Sequence, residues 1–379
     1  MTHIAFQPKG PRVELEADYV VVGSGAGGAT VAVDLARGGA SVALVEAGAW
    51  RDPEDYPHSL YGALRDMTDE WASLVVRGRA LWPLLQARVM GGGTVINSAI
   101  VVRTPGDIFQ EWTRDHGVGG DPMADRMWAA QDQLEEELHV SPVPAAAAGR
   151  SNELARTGSV AIDAHDHEMH RNVRDCLGTG QCLQGCRANR KQSTNISYIP
   201  EVMNRGGTIL SCAPVRRVIL EGRRAVGVKG RFKHPQTHKT GAEFVVRAKR
   251  AVVMAASVTH SPMLLQRSGV RNKSLGHYFR AHPGSGIFGA YDDEVRSNEG
   301  ATQGWSSTRF REEHGLKLET LGLPLELAPS RLSGGGALLM ERLQEYPHLA
   351  MWILAVRAEA VGRITRGTFG QLNVSYTLG

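Results

Sequence analysis

The chain has 379 residues, of which 42% are hydrophobic and 22% charged, and its net charge is +4, as in a soluble globular protein of one large or two ordinary domains. The charge is too small and too dispersed for a nucleic-acid partner, and four cysteines are too few for a disulfide scaffold. No apolar run reaches the ~18 residues of a transmembrane segment and residues 1–17 lack a signal-peptide core, so we predict a cytoplasmic protein.

The first predicted element is a strand–turn–helix–strand unit. Val20–Val22 is an apolar run typical of a buried parallel strand, residues 29–37 predict a helix, and residues 41–45 predict a second strand. The turn and the end of the second strand carry the residues typical of a dinucleotide site: Gly23, Gly25, Gly28 and Glu46. In this pattern the glycines permit a tight turn, a close approach to a pyrophosphate and close helix–strand packing, and the acid accepts hydrogen bonds from ribose hydroxyls. The unit predicts dinucleotide binding; the alternative is an ordinary glycine-rich turn.

A second glycine cluster follows at Gly91, Gly92 and Gly93, with Thr94 and Asn97 just after it. Such a turn lets backbone N–H groups converge on a phosphate or a flat ring, and the amide of Asn97 can bond the edge of a ring. The alternative is a mobile surface turn. The presence of the first motif favours a functional role.

The rest of the chain predicts a mixture of helices and strands. An amphipathic helix is predicted over 124–138, followed by a Pro/Ala-rich linker over 142–149 and a helix over 261–268. Strands are predicted over 208–210, 215–220, 225–232, 243–247 and 251–255, the second and third forming a hairpin. After about residue 285 longer alternating segments predict a separate antiparallel region.

Three cysteines lie close together between the linker and the hairpin, at Cys176, Cys182 and Cys186. Three thiols in a polar loop can hold zinc or an iron–sulfur cluster, although the spacing is not that of a C-x2-C zinc pair. The alternatives are small packing residues or a redox-labile disulfide.

Four segments, 20–46, 91–103, 213–218 and 255–269, resemble in this order the glucose–methanol–choline (GMC) family of flavoprotein oxidoreductases. The resemblance implies FAD as the cofactor, with the second segment running along the flavin. It also implies that the backbone of Val215 meets the adenine and that Ala256 and Ser257 approach the cofactor. Ser257 stands where the family usually has glycine.

The fold class implied is α/β: a Rossmann-like FAD-binding domain with a discontinuous second α+β substrate domain built on an antiparallel sheet. We predict the FAD-binding domain over 1–120 and 171–285, a helical insertion or linker over 121–170, and the substrate domain, incomplete at the C-terminus, over 286–379.

The cysteine loop and residues 191–194 resemble the long-chain alcohol oxidase and dehydrogenase branch of the family. This implies oxidation of the CH–OH group of a hydrophobic or long-chain alcohol by hydride transfer to flavin N5, with oxygen, a quinone or a cytochrome as the electron acceptor. Two alternatives stay open. One is a dehydrogenase subunit that passes electrons through an iron–sulfur cluster to a cytochrome, and the other is a non-catalytic FAD-binding remnant.

No catalytic residue is assigned from the sequence. The resemblance places the catalytic histidine in a long C-terminal stretch, and we find no segment before Gly379 that carries it. His260 lies inside the fourth segment, and His282 and His348 fit structural positions. We therefore expect poor FAD retention and little alcohol oxidation by this polypeptide alone.

Overall fold

The computed structural model describes residues 2–368 and 370–377. Its strands are β1 Thr2–Ile4, β2 Val13–Val22, β3 Val42–Val45, β4 Val75–Arg77, β5 Leu81–Pro83, β6 Val140–Ser141, β7 Asp166–Glu168, β8 Arg171–Asn172, β9 Thr208–Leu210, β10 Val215–Glu221, β11 Arg224–Lys233, β12 Thr240–Met254, β13 His277–Phe279, β14 Gly284–Ala290, β15 Trp305–Ser307, β16 Leu316–Thr320, β17 Leu349–Val356, β18 Gly362–Arg366 and β19 Leu372–Ser375. Its α-helices are α1 Ala26–Arg37, α2 Leu60–Met67, α3 Gly93–Ile96, α4 Gly106–His116, α5 Asp121–Glu137, α6 Ala145–Ala148, α7 Arg150–Ala161, α8 Tyr198–Asn204, α9 Ser257–Arg267, α10 Arg311–His314 and α11 Ala337–Gln344.

The largest sheet has the strand order β1-β9-β3-β2-β12-β11-β10. Strands β1, β9, β3, β2 and β12 pair in parallel, and β11 and β10 continue from β12 as an antiparallel hairpin. The apolar run Val20–Val22 is buried between β3 and β12, as expected for a parallel strand covered on both faces. The carboxyl ends of β2, β3 and β12 therefore meet at one edge, where α/β sheets bind their ligands.

Helix α1 packs on this sheet through small residues. Its buried positions Ala29, Ala32, Val33 and Ala36 follow helical spacing and share one core cluster with Val21 of β2. Because alanine side chains are short, the helix axis lies close to the sheet, and the N-terminus of α1 faces the end of β2. The opposite face of the sheet is covered by a second cluster, centred on Phe232 and Phe244 of β11 and β12.

Two further sheets have the orders β13-β18-β19-β4-β5 and β14-β17-β16-β15-β7, and most of their strands come from the second half of the chain. The second of these is antiparallel throughout, as predicted for the region after about residue 285. Strands β4 and β19 pair across the predicted FAD-binding and substrate domains, and β7 of the predicted insertion pairs with β15. The domain boundaries themselves remain a prediction.

The structure confirms the α/β class and differs from several predicted elements; helix α1 begins at Ala26 and helix α9 at Ser257, earlier than predicted. The two strands predicted over 243–247 and 251–255 form the single strand β12, in which a register shift between Ala248 and Ala251 lets one ladder continue along β2. The predicted linker contains helix α6, since a run of four alanines has high helix propensity. Helix α5 begins earlier than predicted because Pro122 suits the first turn. Over the described ranges, no helix has both the length and the apolar character needed to cross a bilayer.

Candidate functional site

The first glycine turn lies between the end of β2 and the start of α1. Gly23 has φ +101°, and a Cβ there would lie 2.3 Å from the carbonyl oxygen of Ala255. A Cβ on Gly28 would lie 2.0 Å from the Gly23 oxygen. Both glycines are therefore required by packing within the chain. Gly25 is different, because a Cβ there would meet only the Cα of Gly92, at 4.0 Å, and its bare backbone leaves the helix N-terminus open.

The second glycine cluster lies directly against the first. Gly91 and Gly92 have φ values of +96° and +53°, and a Cβ on Gly92 would lie 2.8 Å from the Cα of Gly25. Thr94 closes the turn by donating its hydroxyl to the Gly91 oxygen at 2.6 Å. Gly93 is exposed with open space around it. The two glycine motifs, distant in sequence, thus lie backbone against backbone at Gly25 and Gly92.

Glu46 lies buried at the end of β3, 7% exposed. Its Oε2 accepts from the N–H and the hydroxyl of Ser24, at 2.9 and 2.6 Å, and its Oε1 accepts from the N–H of Gly48 at 2.7 Å. Burial raises the pKa of this carboxyl group, while the bonds from Ser24 and Gly48 oppose the rise. Since a carboxylate offers about four acceptor positions, Oε1 keeps capacity for one further donor.

Two hydroxyl residues that sequence reasoning missed connect these parts. The Ser24 hydroxyl accepts from the N–H of Gly91 at 2.8 Å. The Thr194 hydroxyl donates to the Ser24 carbonyl oxygen at 2.8 Å, and its N–H donates to the Thr94 hydroxyl at 3.1 Å. Ser24 occupies the variable position of G-x-G, so the motif itself pointed at it. Thr194 lies far along the chain from both glycine loops; it belongs to the run 191–194, which resembles the family, but no local pattern assigns it these contacts.

The remaining predicted cofactor residues lie around the same edge. The N–H of Ala213 donates to the backbone carbonyl oxygen of Glu46 at 2.8 Å. This bond places the chain just before Val215 beside the end of β3. Ala255, which precedes Ala256, lies against the Gly23 turn. Asn97 is exposed, and its side-chain oxygen accepts from the Ala99 N–H at 3.1 Å, leaving its amide NH2 available.

Ser257 has φ +71°, a conformation that favours glycine. Its hydroxyl accepts from the His260 N–H at 3.2 Å and bonds the Thr259 hydroxyl at 2.9 Å. Local hydrogen bonds therefore hold this serine in a backbone conformation that favours glycine.

A polar cleft of about 200 Å³ opens beside Gly48, at the carboxyl end of β3. Its ionisable lining residues are Arg65, Asp66, Glu70, Arg88, Lys233 and His238, and burial lowers the pKa of His238. Burial lowers the pKa of Lys233, and the neighbouring Arg88 lowers it further. Cations outnumber acids here, which suits a ligand that carries phosphate.

The three clustered cysteines are free thiols. Cys182 is buried, and its Sγ accepts from Arg171 Nη2 at 2.9 Å. Burial alone raises the pKa of this thiol, but the charges of Arg171 and Lys191 more than offset burial and hold the pKa below its ordinary value. Across residues 2–368 and 370–377, no three His, Cys, Asp or Glu side chains are grouped to hold a metal ion. The predicted cluster on Cys176, Cys182 and Cys186 gains no support from this arrangement, and we do not propose one.

The histidines form local pairs instead of a joint site. His260 Nε2 lies 2.5 Å from Asp69 Oδ2, and Arg88 approaches the other oxygen of that carboxylate at 3.8 Å. His167 bonds the Ser306 hydroxyl at 2.9 Å. No histidine is assigned a catalytic role on this geometry.

In a comparison with known protein families, residues 17–284 match the family model described as GMC oxidoreductase. An uncharacterized GMC-type oxidoreductase of Mycobacterium tuberculosis is 32% identical over 368 residues, covering 96% of this chain and 56% of the relative. A long-chain-alcohol oxidase of Arabidopsis thaliana is 27% identical over 372 residues, covering 93% of this chain and 48% of that protein. The chain thus spans about half the length of the curated relatives it matches.

Solved structures show the same fold at low identity. A variant of formate oxidase from Aspergillus oryzae has a TM-score of 0.68 and 15% identity, covering 97% of this chain and 78% of that chain. Pyridoxine 4-oxidase from Mesorbium loti has a TM-score of 0.68 and 17% identity, covering 94% and 75%.

Proposed function

The chain belongs to the GMC oxidoreductase family, and on this premise we propose that it binds FAD where β2, β3 and β12 end. The observation that carries the proposal is the contact between the two glycine loops, Gly25 against Gly92, at the N-terminus of α1. The first N–H groups of a helix have no partner within it and carry partial positive charge, which suits a pyrophosphate.

Each predicted cofactor residue has a role in this proposal. Gly23, Gly25 and Gly28 shape the pyrophosphate site, and Glu46 accepts a ribose hydroxyl through the free capacity of Oε1. The other contacts are made on the flavin side by Gly91, Gly92, Gly93, Thr94 and Asn97, on the adenine by Val215, and at the carboxyl end of β12 by Ala256 and Ser257. The buried oxygens and nitrogens of Ser24 and Thr194 are used within the protein, so these residues support the site without facing the ligand.

We further propose that the reaction is oxidation of a CH–OH group of a hydrophobic or long-chain alcohol. Bound FAD supplies a hydride acceptor at flavin N5. The support for an alcohol is the similarity to relatives named long-chain-alcohol oxidases, at 27% identity. The chain's contribution on the described residues is to bind and orient the cofactor, since no group is assigned to move the hydroxyl proton.

Two matched glycine substitutions test the binding site. Gly25→Ala leaves the fold intact because its Cβ has space, and it loses FAD affinity by at least ~100-fold because the side chain occupies the pyrophosphate approach. Gly158→Ala is the control: its Cβ also has nothing within 4 Å, and it lies on an exposed face of helix α7. Titration calorimetry with FAD and a thermal melt separate binding from folding. Equal FAD affinity in both variants and the parent would overturn the site.

The substrate class is tested on the FAD-loaded protein without oxygen. Loss of the flavin absorbance near ~450 nm on adding a long-chain primary alcohol, and a slower loss with ethanol, is expected if N5 accepts the carbinol hydride. Because we expect little alcohol oxidation by this polypeptide alone, the readout is the ratio of the two rates. Equal rates with the two alcohols would overturn the substrate proposal while leaving FAD binding to be judged by the glycine variants.

A further inference from the structure

Two cations lie fully inside the protein between the cysteine loop and the second glycine loop. Arg171 and Lys191 are each 1% exposed. Throughout the described ranges, neither forms an ion pair with a carboxylate. Because burying an unpaired charge is costly unless it is fully hydrogen-bonded, the partners of these two side chains indicate what their charge is used for.

Lys191 uses all three of its N–H donors on backbone carbonyls. Its Nζ lies 2.6 Å from the Val95 oxygen, 2.9 Å from the Asn97 oxygen and 2.8 Å from the Cys182 oxygen. Burial lowers the pKa of Lys191 to about 8, with the thiols of Cys182 and Cys186 opposing the shift. The amine is therefore mostly protonated at pH 7, as three donated bonds require.

Arg171 holds the next carbonyl of the same turn. Its Nε and Nη2 both donate to the Ser98 oxygen, at 3.0 and 2.8 Å, and Nη2 also donates to Cys182 Sγ. The two cations thus bind three of the four carbonyls between residues 95 and 98. The Val95 carbonyl lies in the short helix α3, which ends at Ile96, and the carbonyls of Asn97 and Ser98 follow it along the chain.

We propose that Arg171 and Lys191 are positioning residues that fix the 95–98 turn, and with it the loop from Gly91 to Asn97, against the cysteine loop. The part of this inference that concerns the cofactor rests on the proposed function, in which that loop forms the flavin side of the FAD site. The charge-assisted bonds are stronger than neutral ones, so they hold the turn in one conformation before a ligand arrives. Neither residue touches the ligand.

The first test measures hydrogen–deuterium exchange on the full chain without FAD. Lys191→Met conserves length and apolar packing but removes every donor, so a packing role predicts no change. We expect exchange in the peptide covering 93–99 to rise about tenfold or more in Lys191→Met, less in Lys191→Gln, and not at all in strands β14 and β17. The control is Lys249→Met, which removes an exposed lysine paired with Glu16 at 3.2 Å.

Exchange that is unchanged over 93–99, or raised equally everywhere, would overturn the proposal. If Lys191→Met does not fold, Arg171→Lys keeps the charge and can donate only once to the Ser98 oxygen. An intermediate rise confined to 93–99 supports the role there, and parental exchange contradicts it.

The second test adds FAD and reads affinity and the visible spectrum. Lys191→Met is expected to weaken FAD binding about tenfold and to shift the flavin absorption band, because the loop no longer presents one conformation. If the parent chain itself binds no FAD, the proposed function fails and the exchange data alone decide the positioning role. Unchanged FAD affinity and spectrum in a variant whose loop exchanges faster would reject the link to the cofactor.

Discussion

Ser24 gives both its N–H and its hydroxyl to one oxygen of Glu46, at 2.9 and 2.6 Å. The same hydroxyl accepts the N–H of Gly91. A carboxylate at the end of β3 therefore fixes the turn after β2 and, through one hydroxyl, the second glycine loop. Glu46 thus joins the two glycine loops within the protein, a role that adds to the ribose contact that its motif position predicts.

Replacing Ser24 with alanine should loosen both loops at once. The change leaves the buried Gly91 N–H without an acceptor and removes one donor from a buried carboxylate, so we expect a loss of about 1–3 kcal/mol in the free energy of unfolding. FAD affinity should fall about tenfold or more. Thr30→Ala is the control, because that hydroxyl donates only within α1, to the Ala26 oxygen at 2.8 Å. Urea unfolding and FAD titration check both expectations, and equal effects of the two substitutions would contradict them.

Alanine substitutions at the neighbouring residues Gly92 and Gly93 are expected to have different effects on the free energy of unfolding. Gly92→Ala places a Cβ against the backbone of Gly25 in a conformation that favours glycine, and should lower the free energy of unfolding by about 1–3 kcal/mol. Gly93→Ala has open space and a helical position, so stability without FAD should stay the same or rise slightly. Chemical unfolding of the two variants without FAD decides this, and a stable Gly92→Ala would show that the loops do not need to touch.

The sequence predicts the parallel strands and both glycine loops because these depend on local patterns. The apolar run Val20–Val22 predicts a buried strand, and the glycines that follow it predict a tight turn, without reference to distant residues. The run 191–194 resembles the family, but the contacts of Thr194 and Lys191 could not be predicted, because they exist only once the chain has returned to the second glycine loop after about 100 residues. Hydrogen bonds to backbone carbonyls use no side-chain partner, so they leave no complementary residue in the sequence to find.

Two substitutions of Ser257 distinguish the effect of backbone strain on stability from the effect of its hydrogen bonds. Ser257→Ala keeps a side chain at φ +71° and loses the bonds to Thr259 and to the His260 N–H, so it should cost about 1 kcal/mol. Ser257→Gly loses the same bonds but relieves about 1 kcal/mol of strain, so its stability should lie within ~0.5 kcal/mol of the parent. Thermal and urea unfolding measure the relative stabilities of the parent and the two variants. A glycine variant less stable than the alanine variant would mean that the backbone there is not strained.

Three helices are joined by one arginine away from the proposed cofactor site. Arg37 of α1 makes a bidentate pair with Glu201 of α8, at 2.9 and 2.8 Å, and reaches Glu137 of α5 at 2.9 Å. Hydrogen bonds from Arg37 and, to a smaller extent, from Arg205 lower the pKa of Glu201 from 4.5 to about 2, while burial opposes the shift. Because the folded-state pKa is depressed, Glu201 contributes stability at pH values above 4.5, and this contribution is lost as the pH falls from 4.5 toward 2.

Glu201→Gln should therefore destabilise the protein at pH 7 and matter progressively less in acid. Both partners are partly exposed, at 27% and 29%, so solvent screening limits the pair to about 1 kcal/mol. The difference in unfolding free energy between the parent and the variant, measured in urea at pH 7, 5 and 3, should shrink toward pH 3. Glu16→Gln removes an exposed glutamate paired with Lys249 and should show a smaller difference at pH 7. A Glu201→Gln difference that stays constant from pH 7 to pH 3 would mean that the carboxylate charge is not what joins α1 to α8.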